Sequence, residues 1–324
     1  FSPLFLGVMK AVVFHFRGDA WLRRWEEDFP KLGCRLVITL ADLEREIADA
    51  DILLLTNRSA SPELGKILRT KANALKWIHF LTAGFDRGLA MGLPHGVRVS
   101  YSAGVKAPMV AEHALALLLA LVRGLPRIIA AQNAHLWLRE EISEEISTLD
   151  GKTVCIVGLG HVGREVARKL KAFHANVIAV SRSGKSGGEV DTVYPREHLY
   201  DALALADAIV ICAGADDTTQ HMIGAKALAA VKRGALLVNV SRGSLVDEAA
   251  LVEALARGAL SGAALDVQEN EPHPGTSPLW DLPNVIVSPH SAGAGSNAYV
   301  SHRDLFRENL ERFLAGKPLK NQYQ

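Results

Sequence analysis

The sequence predicts an α/β fold made of two doubly wound parallel-sheet domains. Short runs rich in valine and isoleucine alternate with stretches of helical periodicity almost from end to end, the pattern of parallel strands joined by crossover helices. The alternation comes as two series with one long helix-like stretch between them. The chain has 324 residues, 49% of them apolar and 22% charged, which is enough for two ordinary domains with sizeable cores.

In the first series the candidate strands are "KAVVFHF", "CRLVIT", "DILLLT", "LKWIHFL" and "VRVSYS", with gaps long enough for crossover helices. A long helix, "PMVAEHALALLLALVRGL", follows from Pro108, whose missing N–H does no harm in a first helical turn. A charged, amphipathic stretch then runs to about Asp150. The second series reads "KTVCIVGLG", "ANVIAVSR", "DAIVICA", "GALLVNVS", "GAALDV" and "NVIVSPHS". The final helix, "NAYVSHRDLFRENLERFLAGKPL", has no strand left to serve in that series, so it is expected to return and pack on the first domain.

Composition excludes several function classes. Lysine plus arginine (36) nearly balances aspartate plus glutamate (35), so no overall field draws nucleic acid or anionic membrane. Cys34, Cys155 and Cys212 are widely spaced, and two lie in strand-like apolar runs. They read as buried thiols in a reducing compartment, not as disulfides or metal ligands. The longest apolar stretch, "VAEHALALLLALV", is too short to span a bilayer and carries Glu112 and His113. The opening "FSPLFLGV" lacks the charged start and cleavage pattern of a secretory signal, so a cytoplasmic protein is expected, with Met9 one candidate for its first residue.

"GLGHVG", Gly158 to Gly163, follows a strand-like run and opens a helix-like one. Gly158 permits the tight turn, Gly160 lets the backbone approach a pyrophosphate, and Gly163 allows close helix packing. The diphosphate charge then meets unpaired N–H groups at the positive end of the helix, with His161 and Val162 in its first turn. A dinucleotide is therefore the expected cofactor. The next strand hands over to Ser181, Arg182 and Ser183, where NAD selection normally uses an acid, and no acid follows until Glu189. Arg182, helped by Ser181 and Lys185, suits a 2′-phosphate carrying about −1.5 to −2 charges. A charge-assisted hydrogen bond of roughly 1.5 to 3 kcal/mol then favours NADP(H) over NAD(H) by about ten- to a hundredfold. The alternative is a solvated Arg182 stacking on adenine without discrimination, which leaves NAD(H) acceptable.

Three residues each follow a strand of the second series: Arg242 in "NVSRGSLVDEAAL", Glu271 in "LDVQENEPHP" and His290 in "VSPHSAG". Open α/β sheets bind ligands outside the carboxyl ends of their strands, so all three are expected beside the nicotinamide. Hydride transfer to a ketone leaves an alkoxide that needs a proton, and a histidine suits that task. Glu271 holds the imidazole by hydrogen bond and favours its charged form. Arg242 polarises the ketone and binds a neighbouring carboxylate through planar, charge-assisted contacts. Together they point to a 2-oxoacid.

At these residues the chain resembles the D-isomer-specific 2-hydroxyacid dehydrogenases. The likeness extends from about Lys10 to the C-terminal helix and is carried by "GLGHVGREVARKL", "VNVSRGSLVDEAALVEAL", "GAALDVQENEPHP", "SPLWDLPNVIVSPHSAG" and "VAEHALALLLAL". The resemblance implies that Arg242 binds substrate and polarises its carbonyl, that His290 is the acid/base and that Glu271 is its partner. It places Asp266 near the nicotinamide carboxamide and the backbone N–H groups of Ala83 and Gly84, in "LTAGFD", on the substrate carboxylate. Further cofactor contacts are expected from Ala213, Gly214, Thr219, Val240, Ser241 and Ala292. Residues 9–105 with 292–324 would form a flavodoxin-like substrate domain around an inserted Rossmann domain, residues 106–291. The family likeness also implies closure over the cleft and a homodimer built on the nucleotide domain, with a small-molecule partner and neither nucleic acid, membrane nor metal.

Some positions depart from the family pattern. Gly214 stands where many relatives have proline, "GADDTT" replaces a more apolar loop, and "YSAGVKAPMV" alters an asparagine-bearing hinge. Glu271 separates the chain from the formate dehydrogenase branch, which pairs its histidine with glutamine. His113 reads as a packed or hydrogen-bonded residue rather than a catalytic one, and Trp137 and Trp280 as core or interface anchors, with a place in a partner subunit's substrate pocket as the alternative. The expected activity is NADPH-preferring reduction of a small 2-oxoacid, glyoxylate or hydroxypyruvate among them, to a D-2-hydroxyacid. The alternatives are an NAD-linked dehydrogenase running toward oxidation and a dinucleotide-sensing binding protein of the corepressor kind.

Overall fold

The computed structural model describes residues 9–15, 24–182, 184, 188–295 and 298–323. The chain forms two compact units, Phe1–Lys106 with Gly295–Gln324, and Ala107–Ala294. The first holds β1 (Met9–Phe14), β2 (Leu32–Val37), β3 (Ile52–Leu55), β4 (Trp77–Phe80) and β5 (Arg98–Tyr101). The second holds β6 (Thr153–Val157), β7 (Asn176–Val180), β8 (Thr192–Tyr194), β9 (Ala208–Ile211), β10 (Ala235–Asn239), β11 (Leu260–Leu265) and β12 (Val285–Val287), and β13 (Gln322–Tyr323) returns to the first.

In the first unit the sheet order is β13-β5-β4-β3-β1-β2, parallel except for β13, which pairs antiparallel with β5. The order 2-1-3-4-5 is that of the flavodoxin-like doubly wound fold. Both faces are covered, which is why these strands read as unbroken apolar runs. Val12, Phe14, Leu53, Leu55, Ile78 and Phe80 pack one face, and Ala11, Val13, Ile52, Leu54 and Trp77 the other. The Ala298–Leu314 helix lies on the second face, where Phe306 stacks on Trp77 with ring centroids 5.0 Å apart. A helix without a strand in the second series thus finds its apolar partner here.

In the second unit the order is β12-β11-β10-β9-β6-β7-β8, all parallel. Read from β8 this is 3-2-1-4-5-6 with one more strand, the Rossmann order, and the switch point lies between β6 and β9. The Ala107–Val122 helix buries Ala111, Ala114, Leu115, Leu117 and Leu118 against this sheet. Its apolar surface faces protein, and among the described residues no single helix is long and apolar enough to cross a membrane. Cys155 and Cys212 are free thiols that burial pushes up to about 12, so they stay protonated. Among the described residues no three His, Cys, Asp or Glu side chains cluster as metal ligands.

The structure departs from the sequence pattern at a few elements. β2 ends at Val37 because Thr39 caps the next helix, its hydroxyl accepting from Asp42 N at 3.1 Å. β8 and β13, three and two residues long, are too short to show a period. The charged stretch after the long helix contains two helices, Leu125–Asn133 and Arg139–Ser143.

Candidate active site

The β6–helix turn of the second unit builds the first part of the site. Gly158 has φ +102°, and a Cβ there would lie 2.5 Å from Ala213 N, so only glycine lets β6 and β9 converge at the switch point. A Cβ on Gly163 would lie 2.1 Å from the Gly158 carbonyl oxygen, so the His161–Lys171 helix reaches the strand only without a side chain. At Gly160 a Cβ would meet open space, on the side where a ligand would approach. Beyond it lies a cavity of about 450 Å³, walled by Gly158, Gly160, Val180, Ser181, Ala213 and Thr219 among others. A pyrophosphate fits this arrangement: glycine backbone, open space and the N-terminus of a helix of 11 residues. Thr219 is buried and its hydroxyl accepts from Asp216 N at 2.7 Å, closing the loop that begins at Gly214.

At the β7 end of the cavity, Arg182 is 82% exposed and lies 3.7 Å from the Asp216 carboxylate. Arg196, which no sequence motif marked, lines the same cavity and donates to the Thr218 hydroxyl at 2.6 Å. Hydrogen bonds from Thr218, with Arg182 and Arg196 nearby, hold the Asp216 carboxyl below its usual range. Two guanidinium groups thus share this end with one carboxylate. Ser183 and Lys185 lie outside the described residues.

The reactive end is built from the loops after β10, β11 and β12, neighbours in the sheet. Arg242 is exposed just after β10, its Nη1 donating to the Ser241 carbonyl at 2.7 Å. Buried Asn239 ties this loop: its Oδ1 accepts from Ser241 N and Oγ, and its Nδ2 donates to the Arg242 carbonyl at 2.9 Å. Val240 and Ser241 are buried beside it. A Cβ on Gly243 would lie 1.9 Å from the Gln268 carbonyl, so the Arg242 loop is pressed against the loop that bears Glu271. Gln268 N in turn donates to Glu271 Oε1 at 3.3 Å.

His290 Nδ1 lies 2.8 Å from Glu271 Oε2. A carboxylate only accepts, so the hydrogen of this pair sits on Nδ1 and Nε2 is left outside the bond. His290 has φ +52°, a left-handed conformation uncommon outside glycine and asparagine. Asp266, 1% exposed, supplies the bonds that hold it there. Its carbonyl accepts from His290 N at 2.8 Å, Oδ1 from Ser291 N at 2.9 Å and Ser288 Oγ at 2.6 Å, and Oδ2 from Ala292 N at 2.9 Å. Asp266 is therefore first a clamp on the His290 loop, with Oδ2 keeping one lone pair for a further donor. Gln268 adds to the clamp, its Nε2 donating to the Leu265 and Ser288 carbonyls. Gln268 and Ser288 lie inside the quoted stretches "LDVQENEPHP" and "VSPHSAG", but no chemistry of their own singles them out there.

In the first unit, Ala83 and Gly84 follow the carboxyl end of β4, with Ala83 exposed. The loop is tied by Thr82, whose hydroxyl donates to the Gly84 carbonyl at 2.7 Å, and by Asn57, which donates to Asp86 at 3.0 Å. Arg58 follows β3, and Lys106 lies in the segment after β5. Burial, with Arg58 adding to it, holds the Lys106 ammonium below its usual range.

Residues 115–292 match the family model for the D-isomer specific 2-hydroxyacid dehydrogenase NAD binding domain. The chain is 35% identical over 288 residues to a glyoxylate reductase of Aeropyrum pernix, covering 86% of this chain and 83% of that one. Among solved structures, a D-isomer specific 2-hydroxyacid dehydrogenase family protein from Aeromonas salmonicida aligns with TM-score 0.83 at 32% identity, over 98% of this chain and 99% of that one. A D-isomer specific 2-hydroxyacid dehydrogenase from Xanthobacter autotrophicus, in complex with NADPH and MES, aligns with TM-score 0.81 at 28% identity, over 97% and 98%.

Proposed function

The chain belongs to the D-isomer-specific 2-hydroxyacid dehydrogenase family and is an NAD(P)-dependent oxidoreductase, and from that premise we propose that it reduces a small 2-oxoacid of glyoxylate or hydroxypyruvate size to the D-2-hydroxyacid, with NADPH favoured over NADH. The observation that carries this reading is the 2.8 Å pair of His290 and Glu271, held on a clamped loop beside the Arg242 loop. When bound, the nicotinamide supplies the hydride. Arg242 binds the substrate carboxylate and polarises the carbonyl, stabilising negative charge as it develops on oxygen. His290 Nε2 gives its proton to that oxygen, and Glu271 holds the ring in the tautomer and charge state this requires. For each turnover the carbonyl carbon gains the hydride and the oxygen gains the proton. In the first unit the backbone N–H groups of Ala83 and Gly84 are the proposed carboxylate contacts, on the family likeness alone.

The cofactor preference rests on Arg182 and Arg196. An NADPH complex of a 28% identical relative supports the same reading. The pairing of Arg182 with Asp216 and its 82% exposure reduce the discrimination expected from sequence. Screening brings the contribution to about 1 kcal/mol, or roughly fivefold for one arginine. Use of NADH is therefore part of the proposal, as the weaker reaction.

The proposed assembly is a homodimer, supported by the exposed apolar surface of Leu125, Ile129, Leu136 and Trp137, the last 90% exposed. Initial rates with a panel of 2-oxoacids, each with NADPH and NADH, test the function. Nucleotide binding without turnover of any 2-oxoacid would favour a sensing protein instead.

A further inference from the structure

His113, on the Ala107–Val122 helix, takes no part in the chemistry proposed above, yet it touches the clamp beneath it. Its Nε2 lies 3.1 Å from Ser288 Oγ and 3.3 Å from Asp266 Oδ1. The Ser288 hydroxyl donates to Asp266 Oδ1 at 2.6 Å, and that carboxylate only accepts. The Ser288 oxygen can then accept only if His113 Nε2 carries hydrogen, so His113 is a donor shared between the hydroxyl and the carboxylate. Asp266 passes the constraint on through Ser291 N, Ala292 N and its own carbonyl to His290 N. Those bonds bracket the one residue of the loop held at positive φ, His290.

We propose that His113 is a positioning residue for the reaction: its Nε2–H locks Ser288 and Asp266 so that the 288–292 loop keeps His290 in its left-handed conformation, with its ring on Glu271. The physical reason lies in the cost of that conformation. A non-glycine residue at φ near +50° persists only where surrounding bonds over-determine it. Asp266 supplies those bonds from a buried position, where losing a directed partner is costly. Ser288 Oγ gives its one hydrogen to Asp266 and accepts from His113 Nε2, so without His113 the oxygen loses its donor and the contact that fixes its position. His113 also ties the loop to a long helix, a more rigid support than the loop itself. The inference rests on the reading of His290 as proton donor only for its kinetic consequence.

The test uses the full chain with His113→Ala, His113→Gln and Ser288→Ala, and two readouts. The first is kcat and KM for 2-oxoacid reduction. His113→Ala is expected to lower kcat about tenfold, a fraction of the hundredfold that a 1 Å misplacement costs. The KM values for nucleotide and oxoacid should change less than twofold. His113→Gln, whose amide can donate along a similar path, should recover most of the rate. Combining His113→Ala with Ser288→Ala should cost little more than either alone, because both break one chain of bonds. The second readout is amide hydrogen exchange at Ser291 and Ala292, which needs no turnover and survives failure of the functional reading. Exchange there should speed up in His113→Ala and not in His113→Gln. Unchanged kcat and unchanged exchange in His113→Ala would overturn the proposal, as would equal impairment by alanine and glutamine or additive losses with Ser288→Ala. If His113→Ala does not fold, Ser288→Ala alone must reproduce the kcat loss and faster exchange, or the proposal fails.

Discussion

Replacing Asp266 with asparagine changes one oxygen to an amide nitrogen without changing shape, and the structure sets the size of the effect. The carboxylate accepts from Ser288 Oγ, Ser291 N and Ala292 N at 2.6 to 2.9 Å, and His113 Nε2 lies at 3.3 Å. Removing the charge weakens each of the three closer bonds by about 1 kcal/mol, the difference between charged and neutral acceptors. If the asparagine oxygen takes the Oδ1 place, its NH2 faces Ala292 N, and two donors opposed in a site 1% exposed cost about 1 to 3 kcal/mol more. Relief of a buried charge offsets part of this. The net is about 3 to 5 kcal/mol, and at roughly 2 to 4 °C per kcal/mol for a unit of this size the melting temperature falls by about 6 to 20 °C. Where the loop loosens locally instead, the loss appears in kcat, because His290 leaves its left-handed conformation. Thermal unfolding and steady-state rates on the same preparation cover both routes. A melting temperature within 2 °C of the parent, together with kcat within about twofold, would refute the clamp.

Other consequences follow from the same geometry. Arg182→Asp should turn the NADPH/NADH ratio of kcat/KM toward NADH by about tenfold or more, since it removes one charge and adds the opposite one, and Arg196→Ala should move it the same way by less. An unchanged ratio in both would remove these arginines from cofactor selection. Arg242→Gln should cost about 3 to 4 kcal/mol of transition-state stabilisation, a hundred- to thousandfold in kcat, while nucleotide affinity stays put; a loss below tenfold would assign the carbonyl to another group. In the first unit, burial holds His79 neutral down to about 3, with His302 adding to it, and holds His302 neutral down to about 4, with Lys106 adding to it. The unfolded chain takes up these protons from about pH 6.5 downward and the folded chain does not. Stability should therefore be intact above that pH and fall as pH drops toward 4, by up to about 1.4 kcal/mol per pH unit for each histidine. Denaturant midpoints from pH 7 to 5 that do not move, or move equally in His79→Asn, would contradict this.

The sheet architecture was legible because every central strand is buried on both faces, so its residues form unbroken apolar runs. The switch-point turn was legible for a different reason: Gly158 and Gly163 occupy places where a Cβ would strike backbone. Arg242, Glu271 and His290 stood out as reactive types at strand ends, and their loops come from adjacent strands. Arg196, Asp216, Gln268 and Ser288 were not legible, since their roles depend on which loops the fold presses together. His113 reads from sequence as packed or hydrogen-bonded, and periodicity does not reveal that its partner is Ser288 in the His290 loop. The short edge strands were lost for want of length, and Thr39 shows how a capping residue overrides a β-branched run.

Pre-steady-state hydride transfer, measured against pH in both directions, decides whether His290 passes the proton while Arg242 holds the oxyanion. Reduction should slow as pH rises through the range where an imidazolium loses its proton, oxidation should quicken over the same range, and His290→Asn should flatten both profiles. A hydride-transfer rate independent of pH in the parent, or an unaltered profile in the asparagine variant, would remove His290 from the proton transfer.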